Sequence, residues 1–263
     1  MIKKRLLASL IIFFTTITFA QIIESPKNDL KNFFKCGADL FSEPTRFDSK
    51  DWLVFSSTLG LTAVSIFVDE DIQNIALKSR GSLGDALFRI DDFYHIELMA
   101  TSIAALYIYG LASKNSDVRN LGLKLTEATV YAGSITLLGK FLLGRGRPQN
   151  NSGAMNFQPF NTSREFTSMP SGHTTLSFAY STVMASVYNN FFWKFGWFSL
   201  AALVGAARIY NNAHWFSDVL LGGAIGYFVG YFVNNHYTNQ KETTPNSPPN
   251  PEPDFSFSFG FSF

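Results

Sequence analysis

The chain has 263 residues, a formal net charge of +1 and a charged fraction of 16%, against roughly a quarter in ordinary soluble domains. That balance excludes a basic nucleic-acid-binding surface, and a single cysteine, Cys36, excludes an intrachain disulfide. Hydrophobic residues make up 46% and aromatics 16%, with 28 Phe, so the chain is greasy and weakly charged.

Residues 1–20 read as an export signal. Lys3, Lys4 and Arg5 precede the apolar run Leu6–Ala20, and Ala20 offers a small residue for cleavage. The run is 15 residues long, short of the roughly 20 that a membrane span needs. Residues 21–50 are polar and read as irregular. Apolar segments then follow in series: Trp52–Val68, a mixed stretch Asp69–Tyr94 broken at GSLGD, Ile96–Ala112, Leu121–Leu143, Thr174–Val187, Phe192–Ile209 and Val219–Val233. Strand signals are scarce before residue 240. The pattern predicts an all-α bundle of about six apolar helices, membrane-embedded or membrane-associated. Gly222, Gly226 and Gly230 recur every four residues, which puts them on one helix face and predicts a close neighbouring helix. Residues 237–254 are Pro-rich and predict an extended linker. In 255–263, Phe255, Phe257, Phe259, Phe261 and Phe263 alternate with small residues, a short strand-like tail that needs an outer-membrane or envelope partner.

Three stretches carry polar chemistry in this apolar background. In KFLLGRGRP, Lys140 and Arg147 lie at the end of one helix, which Gly144 and Gly146 are expected to end and Pro148 stops outright. In MPSGHTT, Ser171, Gly172 and His173 open the next. In ARIYNNAHWFSD, Arg208 ends a third helix while His214 and Asp218 begin its successor. His214 and Asp218 are four residues apart and share a helix face, so the carboxylate can orient the imidazole and stabilise positive charge on it. Each stretch alone has a plain reading: interface anchoring by Lys and Arg, or helix capping by Ser, His and Asp. In an up-and-down bundle, however, all of these ends meet at one end. Three cations, a hydroxyl, a helix N-terminus and two histidines then converge, a donor set suited to a phosphate dianion. His95 and His236 belong to no such group and read as structural or solvated.

Together, K-x6-RP (Lys140, Arg147, Pro148), PSGH (Pro170 to His173) and R-x5-H-x3-D (Arg208, His214, Asp218) resemble the three signature motifs of the type 2 phosphatidic acid phosphatase superfamily, shared by lipid phosphatases, class A acid phosphatases and vanadium haloperoxidases. The resemblance covers about residues 51–236. One position departs: Ala207 stands where the family has a serine that helps to bind phosphate. The resemblance implies that His214 is the nucleophile, that Asp218 holds its other ring nitrogen and that His173 is the general acid and base. It also implies that Lys140, Arg147, Ser171, Gly172 and Arg208 bind the phosphate, with no metal or other cofactor.

The function so implied is hydrolysis of a phosphomonoester or diphosphate, most naturally of a membrane lipid given the apolar helices, with a small phosphomonoester as the alternative substrate. Other readings are a soluble periplasmic acid phosphatase, a non-catalytic lipid-phosphate-binding envelope protein favoured by Ala207, and a vanadium haloperoxidase. A cleaved signal followed by six crossings would leave the motif ends in the cytoplasm. Lys114, Arg119, Lys124 and Lys194 flank the opposite ends and place the motif ends outside. We adopt the second orientation: an exported, membrane-associated protein of the bacterial cell envelope with its site facing the periplasm.

Overall fold

The computed structural model describes residues 26–90 and 96–242, with the side chains of 239–242 set aside. The expected signal at 1–20, His95, and the linker and Phe-rich tail beyond 242 lie outside the described residues. Within them the chain is a bundle of α-helices: α1 (26–42), α2 (Ser49–Ser65), α3 (Asp69–Lys78), α4 (Ser82–Phe88), α5 (Ile96–Ala112), α6 (Ser116–Leu143), α7 (Gly172–Ala185), α8 (Phe191–Tyr210) and α9 (Phe216–Glu242). No β-strand occurs among the described residues; one isolated bridge joins Arg145 and Phe157.

Two boundaries differ from expectation. Residues 21–50, read as irregular, contain α1. Asp29, Phe33, Cys36 and Leu40 fall at helical spacing on one face, and Cys36 is buried in the main core. Asp29 accepts a hydrogen bond from Tyr107 Oη at 2.9 Å and lies 3.6 Å from Arg119, while Tyr131 Oη donates to the Phe33 carbonyl. Tertiary partners therefore hold a helix whose lysines had masked its apolar stripe. At the other end, α9 continues to Glu242, so 237–242 is helical rather than linker. His236 lies beside Asp39 of α1, at 3.7 Å.

The helix termini follow local chemistry. Asp48 caps α2 in a reciprocal box with Asp51. Asn115 caps α6 through the N–H groups of Asp117 and Val118. Gly144 ends α6 in the left-handed conformation, with φ 55°. A Cβ there would also collide with the Gln158 carbonyl, so both the backbone angle and the close approach call for glycine.

Helix α7 is the centre of the bundle. It packs between α6, α8 and α9, and nine of its 14 residues are buried, Thr174, Thr175, Ser177 and Tyr180 among them. Its close neighbour is α9, through the predicted glycine face. A Cβ at Gly222 would stand 2.6 Å from the Ser171 carbonyl, one at Gly226 would collide with the Thr175 carbonyl, and one at Gly230 would stand 2.8 Å from Thr182 Cβ. Backbone approach on this scale is what a four-residue glycine ladder permits.

Among the described residues, two segments are long and apolar enough to cross a membrane, Ser49–Lys78 and Phe216–Thr238; Ile96–Ala112 is apolar but shorter. At 14 residues α7 is about 21 Å long, less than the roughly 30 Å hydrocarbon core. Only 11% of the apolar 18-residue stretch within the first segment is buried, and Leu53, Leu61, Val64 and Phe67 lie open on its outer face. Apolar surface this extensive matches lipid rather than water.

Candidate active site

The site residues lie where α6, α7, α8 and α9 present their ends to one another. After Gly144 the chain doubles back. Gly146 N–H donates to the Asn156 carbonyl at 2.9 Å, Arg147 N–H to Glu165 at 3.0 Å, and Ser168 N–H to Arg145 at 3.0 Å. This folded loop carries Arg147 out and brings Thr167 and Ser168 back beside the end of α6. Lys140 Nζ donates to the Thr167 carbonyl at 2.6 Å, and Arg147 Nη2 approaches the same carbonyl at 3.4 Å and the Thr167 hydroxyl at 3.3 Å. One carbonyl thus gathers both cations of the first motif. Burial, with the nearby Arg208 charge, holds the Arg147 guanidinium below its ordinary pKa.

The second motif opens α7. The Ser171 N–H donates to the Asp218 carbonyl at 3.0 Å, which ties the start of α7 to the first turn of α9. Ser171 is fully buried and its hydroxyl shares a hydrogen bond with Thr174 Oγ1 at 2.9 Å. Gly172 is the first helical residue, and the nearest atom to a Cβ built there is Lys140 Cε at 3.8 Å, so the lysine stem passes the N-terminus of α7. His173 follows in the same turn, half-buried.

The third motif is a tight turn: His214, expected to share a helix face with Asp218, lies in the turn two residues before α9 begins at Phe216. The N–H groups of Ala213 and His214 both donate to the Arg208 carbonyl, at 3.0 and 3.2 Å, so the arginine ending α8 and the histidine preceding α9 are held together. Arg147 Nη1 reaches the Ala213 carbonyl at 3.5 Å. Ala207 is fully buried one residue before Arg208. His214 is 3% exposed, and its Nδ1 lies 3.5 Å from Asp218 Oδ2. At that distance no hydrogen bond is formed, and among the described residues Nδ1 has no hydrogen-bond partner. Burial pulls the imidazole down to about 3, Lys140 and Arg147 push the same way, and Asp218 opposes them. His214 is therefore a neutral imidazole at physiological pH, with Nε2 unprotonated when the Nδ1 proton faces the carboxylate.

Residues 69–85, whose chemistry the sequence reading left unassigned, brace this turn. Asp69, at the start of α3, accepts from the backbone N–H of Ser217 at 2.9 Å. Gln73 Nε2 donates to Asn212 Oδ1 at 2.6 Å, and Arg80 donates to the Tyr210 carbonyl at 2.8 Å. Tyr210 Oη donates to Asp85 at 2.8 Å. Arg145, inside the first motif and passed over in the sequence reading, is fully buried between Asp69 and Asp218. The available signal was its place between two glycines at a helix end, and the acidic DED that follows an uncharged span.

Comparison with known proteins gives the same region. Residues 121–242 match the model of the PAP2 superfamily, and all three motifs fall within them. The chain is similar to a lipid A 1-phosphatase of Porphyromonas gingivalis, 30% identical over 183 residues, with 64% of this chain and 35% of that protein covered. It is also similar to a lipid A 1-phosphatase of Rhizobium etli, 32% identical over 108 residues, with 40% of this chain and 46% of that protein covered. The chain thus spans less than half the length of these curated relatives. Among solved structures it resembles a transmembrane PAP2-type phosphatidylglycerolphosphate phosphatase from Bacillus subtilis, with a TM-score of 0.56 and 19% identity over 72% of this chain and 98% of that chain. At that identity the likeness is one of fold.

Proposed function

Taking residues 121–242 as a PAP2 superfamily region, we propose that the chain is a membrane phosphatase that removes phosphate from a lipid through a phosphohistidine intermediate, without a metal. The observation that carries this reading is the 3.5 Å approach of the neutral, buried His214 to Asp218 beside the cations Lys140 and Arg147.

His214 Nε2 attacks phosphorus while the bond to the leaving oxygen breaks. His173, at the start of α7, donates the proton that oxygen needs. Positive charge on the substituted imidazole is balanced by Asp218 through Nδ1. Lys140, Arg147 and Arg208, with the Gly172 N–H and the Ser171 hydroxyl, take the non-bridging oxygens and stabilise their charge in the transition state. Water activated by His173 then attacks phosphorus, and the nitrogen–phosphorus bond breaks to release phosphate and regenerate His214.

A lipid is favoured by the surface beside the site. Leu137, Leu138, Phe141 and Leu142, on the last turns of α6 around Lys140, are 68%, 53%, 44% and 46% exposed. An acyl chain can lie along them while its phosphate reaches the cations. The relatives named lipid A 1-phosphatases make the 1-phosphate of lipid A the first substrate to try. The site is assigned to the periplasmic face of the bacterial envelope, as the flanking Lys and Arg favour.

The test is inorganic phosphate release, with EDTA present, by the wild type and His214→Ala on a panel of lipid phosphates beside p-nitrophenyl phosphate. Release that needs His214 and prefers lipids is the expected result. Release from the soluble ester alone would make the protein an acid phosphatase. No release, with lipid phosphate still bound, would make it a binding protein, a reading that Ala207 favours.

A further inference from the structure

Arg145 uses every N–H it has, and none on a substrate. Nε donates to the Ala154 carbonyl at 2.9 Å and Nη2 to the same carbonyl at 2.6 Å. Nη2 also bonds Asp69 Oδ2 at 2.7 Å, while Nη1 bonds Ser217 Oγ at 2.7 Å and Asp218 Oδ1 at 2.6 Å. The rings of Phe157 and Trp215 lie over the guanidinium at 5.2 and 5.5 Å. Its side chain and both carboxylates are completely buried. Five donors in a rigid fork, all engaged, leave nothing for a phosphate oxygen.

We propose that Arg145 is a positioning residue, which, with Asp69 as its second anchor, holds Asp218 in the orientation that presents Oδ2 to His214 Nδ1. The proposal rests on the reading of His214 as nucleophile. The two oxygens of Asp218 divide the work: Oδ1 is taken by Arg145, and Oδ2 is left for Ser168 Oγ, the Trp215 N–H and the imidazole. Asp69 is needed because a lone Arg145–Asp218 pair would be neutral and would cancel the negative charge that the imidazole must see as it takes up phosphorus. Two carboxylates around one guanidinium leave one negative charge in a dry site, beside His214. Asp69 also accepts the Ser217 N–H and Ser217 Oγ, at 2.9 and 2.5 Å. Helix α3, outside the PAP2-matched region, is thereby joined to the helix that carries Asp218.

The experiment compares wild type, Arg145→Lys and Arg145→Met as full chains in detergent micelles. Three quantities are read: kcat for a lipid phosphate, the inhibition constant of inorganic phosphate, and the ring-nitrogen NMR shifts of His214. Expected are a kcat lowered roughly 10- to 100-fold, as when the outer partner of a site histidine is removed, and phosphate inhibition unchanged within about twofold, since Arg145 lies off the phosphate. The wild type should show the proton on Nδ1 and Arg145→Met a mixture of tautomers, with Arg145→Lys between them. A weakened phosphate affinity at unchanged kcat would make Arg145 a phosphate ligand and overturn the proposal. Unchanged kcat and tautomer would overturn it as well, and so would loss of folding in both variants, which would make the arginine purely architectural. If the wild type releases no phosphate from any ester, the phosphatase reading fails while the tautomer comparison still tests the positioning.

Discussion

Asp218 Oδ2 lies 3.5 Å from Nδ1 of His214, yet the same oxygen already accepts hydrogen bonds from Ser168 Oγ at 2.5 Å and from the Trp215 N–H at 2.9 Å. The carboxylate is held by the loop before α7, by its own helix start and by Arg145 before it meets the imidazole. Its position is a property of the folded protein, set before any substrate arrives, which is the kind of preorganisation that transition-state stabilisation requires.

Replacing His214 with alanine removes the proposed nucleophile and leaves this network standing. Phosphate release should fall by roughly 10³-fold or more, with little change in melting temperature. Residual activity near wild type would refute the mechanism.

Asp218→Asn should behave differently, because it strikes both the network and the chemistry. Arg145 would face a neutral amide in a dry site, and breaking a buried pair costs about 3 kcal/mol. We expect a clear drop in melting temperature together with a fall of roughly 10²-fold or more in kcat. Calorimetry beside steady-state kinetics checks this. A variant impaired in kcat at unchanged stability would show that the ion pairs contribute little to folding.

The glycine ladder gives a prediction with an internal control. Gly226→Ala forces a methyl into the Thr175 carbonyl and should push α9 from α7, lowering both melting temperature and activity, since Asp218 and Ser171 meet across that contact. Gly196→Ala, in α8 with nothing within 4 Å of its Cβ position, should stabilise by about 0.5–1 kcal/mol. Equal effects at the two positions would contradict the packing described.

The depressed His214 sets a pH dependence of stability. In the unfolded chain this imidazole titrates near its ordinary value of 6.5; folded, it titrates at about 3. Between those values the unfolded state binds the extra proton, so stability is complete above about pH 6.5 and declines as pH falls towards 3. His214→Asn should lose less stability than wild type between pH 7 and pH 4 in denaturant titrations. Equal losses would mean that the histidine is not held neutral.

Vanadate adopts the five-coordinate geometry of phosphoryl transfer and should inhibit competitively at low concentration. Arg147→Ala should raise its inhibition constant, because Arg147 stands with Lys140 at the Thr167 carbonyl. Ala207→Ser, which introduces the serine of the motif that the chain resembles, should lower it. Indifference to vanadate would argue against a phosphate pocket.

Much of this was legible in the residues themselves. Apolar runs marked α2 and α5 to within a few positions, and the spacing of Gly222, Gly226 and Gly230 announced a closely packed neighbouring helix, which the fold makes α7. The four-residue separation of His214 and Asp218 pointed to carboxylate and imidazole together, although the helix face expected for the pair is replaced by the turn before α9, which the Arg208 carbonyl holds. These features depend on a few consecutive turns, and local sequence determines local turns. Three things were decided only by tertiary structure: the helix at 26–42, whose partners Tyr107, Arg119 and Tyr131 come from α5 and α6; the bracing of the His214 turn by Gln73 and Arg80; and the burial of Arg145 between Asp69 and Asp218, residues 76 and 73 positions away. An arginine between two glycines reads as a solvated or interfacial charge until the folded chain removes water from it. Its role comes from which carboxylates the fold then leaves within reach, and no periodicity in the sequence records that.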